Sequence, residues 1–220
     1  MRSALPYLGD IVILRLKRKW GNFMKTAPYS EPFETFGAWF EEAKEKEIND
    51  PDAMALATAT AAGVPSVRMV LLKDWDQKGF VFYTNMESHK GQELRENPNV
   101  SLLFHWKSLR RQVRVYGTVE RVSEQESDDY FNSRPRDSRI GAWASKQSRP
   151  MEGRFEFEKA IVKETARFAV GDIPRPEYWY GNRVVPTAFE FWEDRPFRLH
   201  DRQYYTLQKD GNWALDVLYP

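Results

Sequence analysis

A side-chain period of two runs through much of this chain and limits its fold more than any other feature. Residues 54–60, 66–73, 80–83, 100–106 and 112–122 carry β-branched, aromatic and apolar residues at strand spacing. Ala62-Gly63 and Gln77-Lys78-Gly79 supply turns between them. Three further segments of this kind, 187–192, 197–207 and 213–218, close the chain. Strands and helices do not alternate as doubly wound parallel folds require, and neither G-x-G-x-x-G nor G-x-x-x-x-G-K-[ST] occurs. The pattern predicts a mainly β chain of the α+β class, a small antiparallel barrel with helical additions.

The helical additions are legible by their caps and spacing. Ser30 can cap a helix over 30–48, with Pro32 in its first turn and Phe33, Phe36, Phe40 and Ala43 along one face. Asn49-Asp50-Pro51 ends it. A short helix is expected over 88–96, and 123–170 reads as helical, interrupted at Arg134-Pro135 and over 148–153. Residues 1–29, with the run Lys17-Arg18-Lys19, read as a flexible basic arm, and 30–220 as a single domain.

Composition removes several functions. A formal net charge of +1 gives no global field for nucleic acid. The absence of Cys excludes disulfides, thiolate catalysis and Cys-ligated zinc, and no metal site is expected. The apolar run near the start, 11–14 with Leu16 beyond, is far shorter than the roughly 20 residues of a membrane helix. No signal-peptide pattern is present. The expectation is a cytoplasmic protein away from membranes. Eight Trp, ten Tyr and fourteen Phe offer flat surfaces on which a ring can stack.

Four clusters can carry chemistry. Arg68 and Lys73 bracket an apolar strand, with Arg68, Val70 and Leu72 on one face and Leu71 and Lys73 on the other. Tyr83-Thr84-Asn85 leads to Ser88-His89-Lys90 at a helix start, where free N–H groups and the dipole favour a phosphate. Tyr130, Arg134, Arg136, Ser138 and Arg139 surround a proline turn and suit a second anion. In a strand, Arg198, His200 and Arg202 share one face, which is costly to bury without an anionic partner. Each cluster taken alone also reads as an ordinary solvated edge, cap or loop. Together they indicate two anion sites beside a sheet with aromatic walls, and they do not name a reaction.

The last cluster carries a resemblance. Phe189-Glu190-Phe191-Trp192 followed by Arg198-Leu199-His200-Asp201-Arg202 closely resembles the C-terminal signature of the pyridoxine/pyridoxamine 5'-phosphate oxidase family. The blocks 68–73, 82–85, 97–98, 101–104, 111–113, 133–138 and 145–148 look like that family's, in its order and spacing, so the resemblance covers about 30–220. It implies an FMN-binding split β-barrel acting as a homodimer, with FMN at the subunit interface and the C-terminal segment serving dimerisation and substrate. It implies FMN contacts from Arg68, Met69, Val70, Leu71, Leu72, Lys73, Tyr83, Thr84, His89, Lys90, Gln112, Gln147, Ser148, Trp192 and Arg202. Lys73, Tyr130, Arg134 and Ser138 would hold a substrate phosphate. Arg198 and His200 would be the catalytic pair beside the pyridine ring, and Arg15 of the arm would cover the substrate.

The implied reaction oxidises C4' of pyridoxine 5'-phosphate or pyridoxamine 5'-phosphate to pyridoxal 5'-phosphate, with dioxygen as acceptor and hydrogen peroxide as product. Two alternatives stand beside it: a phenazine-pathway-type flavin oxidase of the same fold, and a non-catalytic protein binding FMN or pyridoxal phosphate. The sequence departs from the family at three places. His89 stands where Arg is usual, Trp179-Tyr180-Gly181-Asn182-Arg183 alters a Trp-Gly-Gly-aromatic-Arg run, and Val217 replaces an Arg.

Overall fold

Period two becomes a single nine-stranded sheet in which every pairing is antiparallel. The computed structural model describes residues 31–220. The arm over 1–29, Arg15 included, lies outside the described residues. The strands are β1 Ala53–Ala59, β2 Pro65–Leu71, β3 Asp74–Asp76, β4 Gly79–Asn85, β5 Asn99–Trp106, β6 Arg111–Arg121, β7 Trp179–Glu193, β8 Asp201–Leu207 and β9 Trp213–Val217. Their order is β2-β1-β5-β6-β7-β4-β3, and β8 joins β7 to β9 off this path. The helices are α1 Glu31–Lys46, α2 His89–Glu96, α3 Glu124–Ser133, α4 Arg136–Ala144 and α5 Glu156–Arg167. None of the described helices is long and apolar enough to cross a membrane.

α1 lies against the sheet through the face read from the sequence. Phe33, Phe36, Phe40 and Ala43 are buried. Phe36 meets Phe80 edge-on at 4.8 Å and Phe104 at 5.1 Å, tying the helix to β4 and β5. A second cluster forms where α3, α4 and the chain before β7 converge, around Phe131, Ile140, Phe168, Ile173 and Trp179.

The structure corrects the expected strands at β7 and β8. The segment expected over 187–192 is the end of a 15-residue strand that begins at Trp179. Pro186 masks this in the sequence, because proline removes a ladder donor. It is tolerated because β7 changes partner there. Residues 179–184 pair with β4 and residues 188–193 with β8 along the same edge. On the opposite edge the register with β6 shifts between Tyr116 and Gly117. A Cβ on Gly117 would sit 2.2 Å from the Val185 carbonyl oxygen, so only glycine permits the approach. Gly117→Ala is expected to destabilise the fold by about 2 kcal/mol or more, a drop readable in the urea midpoint. An unchanged midpoint would show that β6 and β7 can separate there without loss.

The strand expected from residue 197 begins only at Asp201. Pro196–Arg198 form a 3-10 turn instead, with Phe197 at φ 59° and Arg198 at φ 62°. Both lie in the left-handed region, so Arg198 cannot share a strand face with His200 and Arg202 as read from alternation.

Candidate active site

A cavity of about 1000 Å³ opens between β2, β4, the start of α2, and the α3–α4 turn. It is at the upper end of the size of small-molecule sites. Fourteen of the sequence-predicted residues line it: Arg68, Met69, Val70, Leu71 and Lys73 from β2 and its end; Tyr83, Thr84, His89 and Lys90 from β4 and α2; Tyr130, Arg134 and Ser138 from α3 and α4; and Gln147 and Ser148 beyond α4. Leu72 is buried in the core and does not line it. Ser66, Asn85, Ser145 and Trp179 line it too, and sequence reading assigned none of them a contact role.

One end is built on the start of α2. Ser88 caps the helix, its hydroxyl accepting from the Gly91 amide at 3.3 Å. That turn carries Lys90 inward, and its Nζ donates to Gln147 Oε1 at 3.0 Å, Thr84 Oγ1 at 3.2 Å and Ser88 Oγ at 3.3 Å. All three partners are neutral. Burial pulls the Lys90 ammonium down to about 8, and the nearby Arg68 charge acts in the same direction. A buried cation with only neutral partners fits an anionic ligand group.

Arg68 differs, because it already has an acid. Its guanidinium donates to the Leu56 carbonyl at 3.1 Å and to Glu93 Oε2 at 3.2 Å, and it also bonds Thr58 and Ser66. Burial alone would raise the Glu93 carboxyl, but hydrogen bonds from Thr58 and Ser66 and the charges of His89 and Arg68 outweigh it and hold it below the usual range. His89 is 61% exposed and reaches the next helical turn, its Nε2 3.5 Å from Glu93 Oε1. Sequence reading missed Glu93, although its place four residues after His89 in a helix could have flagged the pair.

The other end is aromatic and cationic. The Tyr83 and Tyr130 rings stack at 3.9 Å, and Tyr83 stacks on Trp179 at 5.2 Å. Burial pushes the Tyr83 hydroxyl up to about 12, so it stays protonated as a donor. The Arg134 guanidinium lies 4.8 Å over the Trp179 ring. Its Nη1 is buried without a hydrogen-bond partner, and burial lowers its pKa. Lys73 Nζ, also at the cavity, pairs with Asp52 at 3.0 Å. Unsatisfied Arg134 and acid-free Lys90 mark two separate places for negative charge in one cavity.

Five other predicted residues stand elsewhere in the described chain. Gln112, Trp192 and Arg202 line a smaller cavity of about 190 Å³ with Arg114 and Glu190. There Glu190 Oε1 accepts from Arg202 Nε at 2.8 Å, and its Oε2 from Arg114 Nη1 at 2.7 Å. Arg198 and His200 line neither cavity. Arg198 is exposed, while the His200 ring sits against Trp192 with centroids 4.7 Å apart.

Comparison with known proteins gives this arrangement relatives. A family model described as pyridoxamine 5'-phosphate oxidase matches residues 40–167, and one described as pyridoxine 5'-phosphate oxidase C-terminal dimerisation region matches 179–220. The chain is 59% identical over 192 residues to the pyridoxine/pyridoxamine 5'-phosphate oxidase of Rhizobium meliloti (strain 1021), covering 87% of this chain and 93% of that protein. It is 60% identical over 192 residues to the protein of the same name in Brucella canis, covering 87% and 95%. Among solved structures, it superposes on PhzG from Burkholderia lata 383, in complex with tetrahydrophenazine-1-carboxylic acid, with TM-score 0.82, 31% identity, and coverage of 88% and 94%. A pyridoxamine 5'-phosphate oxidase-related, FMN-binding protein of Nostoc punctiforme shares the fold at TM-score 0.69 and 15% identity, covering 90% of this chain and 100% of that one.

Proposed function

The chain belongs to the pyridoxamine 5'-phosphate oxidase family, and from that membership we propose an FMN-dependent oxidase that converts pyridoxine 5'-phosphate or pyridoxamine 5'-phosphate to pyridoxal 5'-phosphate. The observation that carries this reading is the pairing, in one cavity, of a buried Lys90 without an acid and a buried Arg134 Nη1 without a partner. A flavin phosphate and a substrate phosphate supply the two missing anions. FMN suits the first place better than a dinucleotide, since the α2 start offers a seat for one terminal phosphate and the sequence has no dinucleotide fingerprint.

When bound, FMN would supply the two-electron acceptor, taking hydride from C4' of the substrate and passing the electron pair to dioxygen to give hydrogen peroxide. The chain's own part is binding and orientation. Lys90, Thr84 and Gln147 hold the flavin phosphate, with Arg68 kept in place by Glu93. Arg134, Lys73, Tyr130 and Ser138 hold the substrate phosphate, and the Tyr83–Tyr130 stack forms an apolar wall beside it. Arg198 orients the substrate at its reacting carbon, and His200 contacts its ring substituents.

Those last two residues and the smaller cavity's Gln112, Trp192 and Arg202 do not line the large cavity of their own protomer. We assign them to the site of a second copy, so that a homodimer holds FMN at its interface. The edge strand β2 supports this, because Val67, Met69 and Leu71 leave an apolar face exposed that a partner can cover. Residues 30–220 then act as one unit, with the C-terminal segment at the interface. We read the protein as cytoplasmic, since nothing in its Cys-free sequence needs an oxidising compartment.

The phenazine-type alternative is less favoured. The chain is 31% identical to PhzG against about 60% to the pyridoxine/pyridoxamine 5'-phosphate oxidases, and a phosphate-free substrate would leave Arg134 Nη1 unpartnered. Aerobic turnover decides the reading. Pyridoxal 5'-phosphate and hydrogen peroxide are expected in a one-to-one ratio from either substrate, with FMN identified by mass spectrometry of the released cofactor. Binding of FMN or pyridoxal phosphate without peroxide would make the protein a carrier instead.

A further inference from the structure

Asp194 follows β7, and its amide donates to the Arg110 carbonyl at 3.0 Å, which ties it to the β5–β6 turn. Its two carboxylate oxygens have separate partners. Oδ2 pairs with the Arg110 guanidinium, and Oδ1 lies 3.0 Å from His200 Nδ1. The Trp192 ring holds the imidazole from another side. His200 Nε2 has no partner among the described residues.

A second contact competes for Nδ1. The Arg195 amide approaches it at 3.3 Å and can donate only if Nδ1 carries a lone pair. The carboxylate requires the opposite, a proton on Nδ1. The carboxylate contact is shorter and charge-assisted, so it decides the tautomer. A neutral His200 then carries its proton on Nδ1 and exposes a lone pair on Nε2.

On the reading of His200 as a substrate contact, we propose that Asp194 is a positioning residue: it fixes His200 as the Nδ1–H tautomer, so that Nε2 accepts a hydrogen bond from the substrate beside its reacting carbon. Both substrates carry a donor there, a hydroxyl in pyridoxine 5'-phosphate and an amine in pyridoxamine 5'-phosphate. The opposite tautomer would set an N–H against that donor. Removing the carboxylate leaves the Arg195 amide as the remaining partner of Nδ1, which moves the proton to Nε2.

The chain has three His, so ¹⁵N-histidine labelling of the FMN-loaded protein gives a spectrum in which His200 is assigned by its loss in His200→Gln. Long-range ¹⁵N–¹H correlations of the neutral ring are expected to show Nδ1–H in the wild type and Nε2–H in Asp194→Ala. Asp194→Ala should keep its FMN and lose kcat/KM by about tenfold or more. Asp194→Asn should recover much of that loss, because its amide oxygen still accepts from Nδ1–H. Arg110→Met removes the other ion pair of Asp194 and should keep both the tautomer and, within about twofold, the rate. The same tautomer in wild type and Asp194→Ala would overturn the proposal. So would an Arg110→Met loss equal to that of Asp194→Ala, which would make the acid a tether for the turn. If the wild type itself does not turn over, the oxidase reading fails, while the tautomer comparison still decides the link between Asp194 and His200.

Discussion

Replacing Arg134 by Ala is expected to lower kcat/KM for both phosphorylated substrates on the order of 100-fold, corresponding to about 3 kcal/mol of lost charge pairing. The loss should fall mainly on KM, because the phosphate is bound alike in ground and transition states. The size follows from the surroundings of Arg134. Its guanidinium lies over Trp179, and Nη1 is buried with no partner, so a substrate phosphate there meets a desolvated, pre-aimed donor. Arg134→Lys should recover little, since an ammonium on a flexible stem cannot reproduce the planar fork. FMN content should stay at the wild-type level in both variants. A KM within threefold of wild type for Arg134→Ala would remove this residue from the substrate site.

Lys90→Met should weaken FMN binding by about 10- to 100-fold, the range for a hydrogen bond to a charged group. A pH dependence accompanies it. Without an anion the buried Lys90 ammonium titrates near 8. A phosphate beside it restores the charged form, raising its pKa toward the ordinary lysine value of about 10.4. Binding therefore takes up a proton between those two values, and affinity falls as pH rises through that window, by up to about tenfold per pH unit. Below pH 8 the contribution is fully present. The phosphate is already a dianion above about pH 6, so its own titration does not intrude. Flavin-fluorescence titration of apo-protein from pH 7 to 10 is expected to show this slope in wild type and to lose it in Lys90→Met. Parallel profiles would place the flavin phosphate elsewhere. In the sequence His89 stands out at this helix start, because it replaces a usual Arg. In the structure His89 is mostly exposed and turned toward Glu93, whereas Lys90 is the buried cation.

The positions of these groups were legible to different degrees. α1 and the strands β1, β2, β5 and β6 could be read because their buried faces follow a strict period, 3.6 for Phe33, Phe36 and Phe40 and two for Met54, Leu56 and Thr58. The start of α2 was legible from Ser88 as a cap. The first half of β7 was not, because Gly181 and Pro186 read locally as breakers and their tolerance depends on neighbours distant in sequence. The turn at Pro196–Arg198 was missed for a related reason. Alternation implies a strand, and only the backbone shows two successive left-handed residues. Gln112, Trp192 and Arg202 were grouped with the other FMN contacts, and within one chain they line a separate cavity. A sequence can show that residues share a chemistry, but not which cavity of the fold they line. Glu93 offered only its spacing from His89, and its burial appears only in the fold, while Asp194 gave no local signal, since an acid near basic residues is common.

The central claim is that the two anion places bring a reducible flavin and a phosphorylated pyridine together. Anaerobic mixing of the FMN-loaded protein with pyridoxamine 5'-phosphate or pyridoxine 5'-phosphate tests it most directly. The flavin absorbance near 450 nm, a general property of oxidised flavins, is expected to bleach in a single turnover, with one pyridoxal 5'-phosphate formed per flavin and colour returning on admission of dioxygen. Retention of the yellow spectrum with both substrates bound would contradict the account.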